Sequence, residues 1–177
     1  MSITDLIVRS ETPEDADCLE ILTETVFGPG MRARAAYFLR EGVAHEMDLS
    51  FVAQCGERVI GTVRLTKVCW GSDTVLMLGP LAVLPELKGQ GIGKSLMRKA
   101  VEAAGLKSGG GVVGHGEGGA PLIMLVGDLD YYKNFGFVRI PPAKISLPRP
   151  ADPTRILGCE LVPGVLEKLN GEVSRYI

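Results

Sequence analysis

The spacing of apolar residues changes several times along the chain, and each change marks an element. Leu6 to Arg9 reads as a short strand. In Thr12-Pro13-Glu14-Asp15, Thr12 suits a helix N-cap, Pro13 the first helical position and Asp15 the reciprocal half of a capping box. Ala16, Leu19, Leu22 and Val26 then recur at spacings of three and four, predicting a helix that ends before Gly28-Pro29-Gly30. A second helix is predicted over Met31 to Arg40, with Ala35, Phe38 and Leu39 inward and Arg32, Arg34 and Arg40 outward. From Leu49 the period falls to two, so LSFVAQ, the turn CGER and VIGTVRLTKV predict an antiparallel hairpin. TVLMLGPLAVLP is an apolar run broken by Gly79-Pro80. Proline offers no ladder donor, so a bulge or divergence is expected near Pro80.

Beyond Pro85, the residues Ile92, Leu96, Met97, Ala100, Val101 and Ala104 share one helical face, which predicts a helix ended by Gly105. Ser108 to Ala120 holds seven glycines and His115, too little apolar surface to order a segment, and predicts a mobile loop. PLIMLV predicts a buried strand, and Asp128 is placed to cap a short helix through Phe135. Extended structure with proline breaks follows Phe137, and ELVPG is the expected last edge strand. The order is mixed α/β, without repeat or internal linker, in one domain spanning 1–177.

Composition narrows the function. The chain has 177 residues, 46 % apolar and 23 % charged, enough for one continuous core. Nineteen Lys and Arg against 21 Asp and Glu leave a net charge of −2, without the basic footprint a nucleic-acid surface needs. No stretch approaches the roughly 18 uninterrupted apolar residues of a membrane span. The start, MSITDLIVRSETPEDAD, carries acids where a signal peptide is basic and then apolar, so a cytoplasmic protein without membrane partners is expected. Cys18, Cys55, Cys69 and Cys159 are scattered with no CxxC pair, and His45 and His115 are the two histidines. No metal site or disulfide framework is expected, and the cysteines read as small buried hydrophobes.

KGQGIGKS, Lys88 to Ser95, carries the chemistry. Three glycines at the mouth of a helix clear side chains away from amides that can point at an anion, so a phosphate-bearing ligand is implied. A P-loop would need glycine where Lys88 stands, and a dinucleotide fingerprint starting at Gly89 would need it where Lys94 stands, so both fail.

Lys88-x-x-Gly91-x-Gly93 resembles the Gln/Arg-x-x-Gly-x-Gly/Ala signature of the GNAT superfamily of acetyl-CoA-dependent N-acetyltransferases, with Lys88 in place of the usual Gln or Arg. GPLAVLPELKGQGIGKSLM resembles the family's fourth strand and third helix, and YYKNFGF, Tyr131 to Phe137, its later Tyr-x-x-x-Gly-Phe element. FGPGMRARAAYFLREG, LSFVA, GTVRL and LVGDLDYY are further similar to the YhbS-like branch, so the resemblance covers most of the chain. The asparagine with which many members hold the pantetheine arm is not at the matching spacing before Tyr132.

The resemblance implies a mostly antiparallel sheet splayed between strands four and five and flanked by helices, with acetyl-CoA as cosubstrate and no metal. Pantetheine would pair with the backbone of Leu81, Ala82 and Val83. The pyrophosphate would meet Lys88 and the amides of Gly89, Gln90, Gly91, Gly93 and Lys94, with Ser95 offering a hydroxyl. Tyr132, four residues before Gly136, would protonate the leaving thiolate, and Tyr131 would be the packed neighbour. The oxyanion would be met by backbone N–H near Ala82. The general base is not readable. Strand four has no acid, so deprotonation would fall to a water relay or to a residue from elsewhere; His45, Glu46 and Asp48 are weak candidates, each read first as a surface group, and Trp70, Tyr37, Arg32 and Arg34 are weighed as acceptor-pocket residues against core or solvated positions. The implied reaction is acetyl transfer to a primary amine of a small molecule or peptide, with a homodimer allowed. A catalytically weak acyl-CoA sensor on the same fold is the alternative.

Overall fold

The computed structural model describes residues 5–109 and 119–177. Strand β1 (Leu6–Ser10) leads through a 3-10 turn into helix α1 (Ala16–Phe27), and a second 3-10 turn precedes helix α2 (Ala35–Arg40). Strands β2 (Phe51–Cys55), β3 (Arg58–Trp70) and β4 (Asp73–Val83) form a meander, followed by helix α3 (Ile92–Ser108). Then come β5 (Leu122–Val126), α4 (Leu129–Tyr132), β6 (Val138–Arg139), β7 (Ile145–Ser146), β8 (Ile156–Glu160), α5 (Val165–Lys168) and β9 (Gly171–Arg175). The main sheet runs β1-β2-β3-β4-β5-β8-β6, and β9 pairs the far end of β3. The pairing is antiparallel throughout this path except for β4 with β5, which run parallel. This is the mixed, mostly antiparallel sheet that the family resemblance implies.

Both faces of the central strands are buried, which explains why β4 and β5 read as apolar runs rather than alternating strands. Leu76, Leu78, Ile123 and Leu125 point into a core shared with Leu96, Met97 and Ala100 of α3. Val75, Met77, Leu122 and Met124 point into a second core with Leu39, Trp70 and Val173. A fully buried Leu or Met contributes about 2 kcal/mol by leaving water, so the α3 stripe fixes that helix firmly on the sheet.

The capping box at residues 12–15 forms. Thr12 N donates to Asp15 Oδ2 at 2.8 Å, and Arg9 reaches both Asp15 oxygens at 2.7 and 2.8 Å. The Arg9 bonds outweigh burial and hold the Asp15 carboxyl at about 2, below its ordinary 3.8. Asp15→Asn is therefore expected to cost about 2 kcal/mol at pH 7, at about 1.4 kcal/mol for each pH unit of displacement. A folded pKa below the unfolded one means this contribution is whole above pH 3.8 and is lost as pH falls toward 2. Denaturant midpoints of the two proteins should converge over that window, and a gap undiminished at pH 2 would refute the pairing.

Several sequence expectations are corrected. The helix expected over Met31 to Arg40 splits: Pro29–Ala33 is a 3-10 turn, and α2 starts at Ala35. Ala35 and Leu39 are buried as expected, whereas Phe38 is only half-buried, between the guanidinium groups of Arg149 and Arg175 at 4.4 and 4.1 Å from its ring centroid. Arg40, expected outward, buries its Nη1 against Gly79, where the absence of a Cβ leaves room. Helix α3 continues to Ser108, whose Oγ lies 2.8 Å from Ala104 O and 2.7 Å from Ala120 O. The mobile loop expected between those ends falls largely on residues outside the described ones. ELVPG is not a strand: Glu160 closes β8, which lies between β5 and β6, and the final strand is β9. Cys159 is buried, but Cys18 is exposed and Cys55 and Cys69 are half-buried. Among the described residues no helix is long and apolar enough to cross a membrane.

Candidate active site

The expected irregularity in β4 is present and sets the site. Val63 pairs with Leu81 and Leu65 with Leu78, so Gly79 and Pro80 together oppose Arg64 alone, which is a bulge. On its other edge β4 pairs with β5 only through Leu76–Ile123 and Met77–Met124. Beyond those two rungs the strands part. A cleft of about 940 Å³ fills the divergence, running from Lys88 past Gly79 and Leu81 to Tyr132, Asp152 and Arg155.

The backbone of β4 decides which groups face that gap. Leu84 N donates to Ile60 O at 3.0 Å, so Leu84 and, two residues earlier, Ala82 turn their peptide groups toward β3. Ala82 O accordingly lies 3.1 Å from where a Cβ on Gly61 would stand. Alternation then turns the peptide groups of Leu81 and Val83 to the open edge. Of the three residues expected to pair with pantetheine, Leu81 and Val83 present their backbone groups to the open edge, whereas Ala82 faces β3.

At the mouth of α3, Gly89 and Gly91 hold φ of +82° and +84°, the left-handed region that favours glycine. A Cβ at either would meet nothing within 4 Å, so the face of the turn is clear of side chains. Gly91 is the N-cap, which leaves the first amides of α3, including those of Gly93 and Lys94, without partners inside the helix. Lys88, Gln90 and Lys94 are exposed around the turn. Ser95 N donates to Gly91 O at 3.0 Å, and its hydroxyl lies 3.3 Å from the same carbonyl.

Tyr131 and Tyr132 both line the cleft. Their rings meet edge-on with centroids 4.9 Å apart, and Tyr132 also meets Phe137 at 5.8 Å. Burial, with smaller contributions from Tyr131 and Asp128, pushes the Tyr132 phenol up to about 12. Tyr131, expected merely to pack, reaches further: its hydroxyl lies 2.9 Å from where a Cβ on Gly93 would stand, beside the glycine turn.

Gly127 carried no weight in the sequence, yet a Cβ there would collide with Cε2 of the Tyr132 ring. The sequence signal available was its place between an apolar strand and a helix start. Gly127→Ala is expected to displace the Tyr132 ring, and under the catalytic role that the resemblance implies for Tyr132 it should lower turnover about tenfold with little change in affinity for acetyl-CoA, since about a 1 Å misplacement at a reacting centre costs rate before binding. Steady-state kinetics beside calorimetric titration checks this, and wild-type turnover would show that the ring position is immaterial.

The base candidates lie elsewhere. His45 Nε2 stands 3.0 Å from Glu11 Oε1, and Glu46 pairs with Lys67 at 3.3 Å and Lys107 at 3.7 Å. Asp48 pairs with the same Lys107. None of the three lines the cleft. The carboxylates that do are Asp128, 3.2 Å from Arg155, and Asp152, which accepts from Thr154 N and Oγ1. Asp128 stands at the N-cap of α4 as expected, but it bonds Tyr131 N and Tyr132 N through its carbonyl rather than its side chain. Tyr37 and Arg34 line the cleft, Trp70 is core with its indole N–H donating to Lys144 O at 3.2 Å, and Arg32 lies outside, 3.9 Å from Glu24. Among the described residues no cluster of His, Cys, Asp and Glu is arranged to hold a metal.

The bulged strand, its divergence from β5 and the glycine turn define a class of protein. The Acetyltransferase (GNAT) domain matches residues 46–139, more than half of the chain. The chain belongs to the GNAT acetyltransferase family. It is 28 % identical over 127 residues to the uncharacterized N-acetyltransferase YjhQ of Escherichia coli K12. That match covers 70 % of this chain but 64 % of the relative, so the chain spans somewhat less than two thirds of that protein's length. The fold is similar to the crystal structure of the GNAT family N-acetyltransferase YhbS from Escherichia coli in complex with CoA. There the TM-score is 0.75 at 23 % identity, over 97 % of this chain and 90 % of that one. A GNAT family acetyltransferase from Brucella melitensis, in complex with acetyl-CoA, gives 0.65 at 26 % identity, over 97 % and 96 %.

Proposed function

We propose that this protein is an acetyl-CoA-dependent N-acetyltransferase that moves an acetyl group directly to a primary amine of a small molecule or peptide. The observation that carries the reading is the continuous path from the left-handed glycine turn, along the open edge of β4, to a cleft holding Tyr132. Pyrophosphate would sit against the free amides at the start of α3, with Gly89 and Gly91 allowing close approach and Lys88 adding charge. Leu81 and Val83 would hold the pantetheine arm as an added strand would be held. The family's complexes with CoA and acetyl-CoA support this assignment.

The thioester supplies the activated acetyl group. As the amine nitrogen bonds to the carbonyl carbon, the carbon–sulfur bond breaks, its electron pair stays on sulfur, and the surplus nitrogen proton passes to solvent. The Tyr132 phenol is protonated at neutral pH, and with a pKa of about 12 it is a weaker acid than a thiol near 8.5, so complete proton transfer to sulfur is uphill. Tyr132 therefore acts as a hydrogen-bond donor to the developing thiolate. Thiol release from acetyl-CoA in the presence of an amine panel tests the assignment. Tight CoA binding without release from any amine would favour the sensor reading instead.

A further inference from the structure

Arg40 carries a charge that nothing described around it balances. Its Nε donates to Ala36 O at 2.8 Å, while its Nη1 is buried with no hydrogen-bond partner among the described residues. The charged neighbour is another cation, Arg64, whose guanidinium is committed to Glu11 through bonds including Nε to Oε2 at 2.9 Å. Burial first, and Arg64 second, pull the Arg40 guanidinium down to about 10, which leaves it charged at neutral pH. Arg40 as a whole is half-buried, but a guanidinium nitrogen buried without a partner is unfavourable, and a ligand of opposite sign would complete the group.

The location says which ligand. Arg40 lines the cleft where β4 leaves β5, with Nη1 2.9 Å from the place a Cβ on Gly79 would occupy. On the same wall Arg34 stands over the Phe27 ring, 5.7 Å from its centroid. The lining acids do not answer these cations, because Asp128 faces Arg155 and Asp152 caps Thr154. The geometry points to Arg40 as the anchor for a carboxylate on the acceptor, which makes the acceptor a small amino acid whose acid group lies a few bonds from the reacting nitrogen. With Nε held by Ala36 O, the remaining guanidinium N–H groups offer a carboxylate charge-assisted donors. Because Arg40 lies in the cleft wall beside the bulge rather than on the rim, a short acid reaches it and a polymer lying across the surface does not.

This inference rests on the acetyl-transfer reading, and the experiment separates the two. Thiol release is measured for each common L-amino acid and for its carboxamide, an uncharged isostere. For the best acceptor the carboxamide is expected to lose about 30-fold or more in kcat/KM, mostly in KM, the scale of one charge-assisted pair. Arg40→Gln should impose the same loss on the acid and none on the amide, with acetyl-CoA affinity unchanged, and Arg40→Lys should recover part of it. In parallel, melting of the CoA-saturated protein is followed with the same compounds. The acids should raise the Tm of wild type and not of Arg40→Gln. Turnover of amides and acids alike would overturn the carboxylate anchor and leave acetyl transfer standing. An acid-specific Tm shift without thiol release would do the reverse. An Arg40→Gln loss in kcat equal for acids and amides would place Arg40 at the reacting carbonyl and overturn the anchor.

Discussion

Gly91→Val is expected to leave a folded protein that no longer binds CoA at concentrations that saturate the wild type. Gly91 holds φ of +84° as the N-cap of α3, a conformation that costs an ordinary L-residue about 1–2 kcal/mol and a β-branched one more. Space within the protein is not the obstacle, because a Cβ there meets nothing within 4 Å. Relieving the strain rotates the turn, which under the proposed binding mode withdraws the amides of α3 from the pyrophosphate and puts the valine methyls in the ligand's approach. Losing two charge-assisted N–H bonds at about 1.5 kcal/mol or more each raises Kd by at least about 100-fold. Calorimetric titration of CoA, with circular dichroism to confirm folding, measures this. Wild-type affinity in the folded variant would remove the pyrophosphate from the glycine turn.

Tyr132→Phe is expected to lower kcat by about 10- to 100-fold while leaving the Kd for acetyl-CoA within about twofold. The ring contacts with Tyr131 and Phe137 survive the substitution, and only the hydroxyl is lost. A hydrogen bond to a charged group contributes about 1.5–3 kcal/mol, and one formed only as the thiolate departs appears in kcat rather than in binding. Because the phenol sits near 12, a falling limb of the pH–rate profile at pH 8 or 9 cannot come from Tyr132, and the substitution should leave any such limb in place. Tyr131→Phe is not a silent control here, since its hydroxyl stands beside Gly93 at the turn. Its loss should show first in CoA affinity. Equal kcat for wild type and Tyr132→Phe would assign the departing sulfur to water.

The residue pattern alone determined the parts of this protein that depend on local chemistry. Thr12-Pro13-Glu14-Asp15 specifies a helix start because the cap is completed within four residues. Gly79-Pro80 specifies a break in β4 because proline lacks a donor wherever it sits, and Gly89 and Gly91 specify a left-handed turn because few other residues adopt one. Gly79-Pro80 and the glycine turn lie within the segments that carried the family resemblance, and the sheet order agreed with it. What lay beyond reach depended on partners distant in sequence. Ala82 could not be separated from Leu81 and Val83 until the Leu84–Ile60 bond set which edge of β4 faces the gap. The reach of Tyr131 was set by α3 passing beneath it, and the burial of Arg40 by a glycine 39 positions further along the chain whose missing side chain admits a guanidinium. A helical pattern assigns a long charged residue to solvent by its type. Only packing decides whether a neighbouring strand leaves it a place inside, and here that place is in the wall of the cleft.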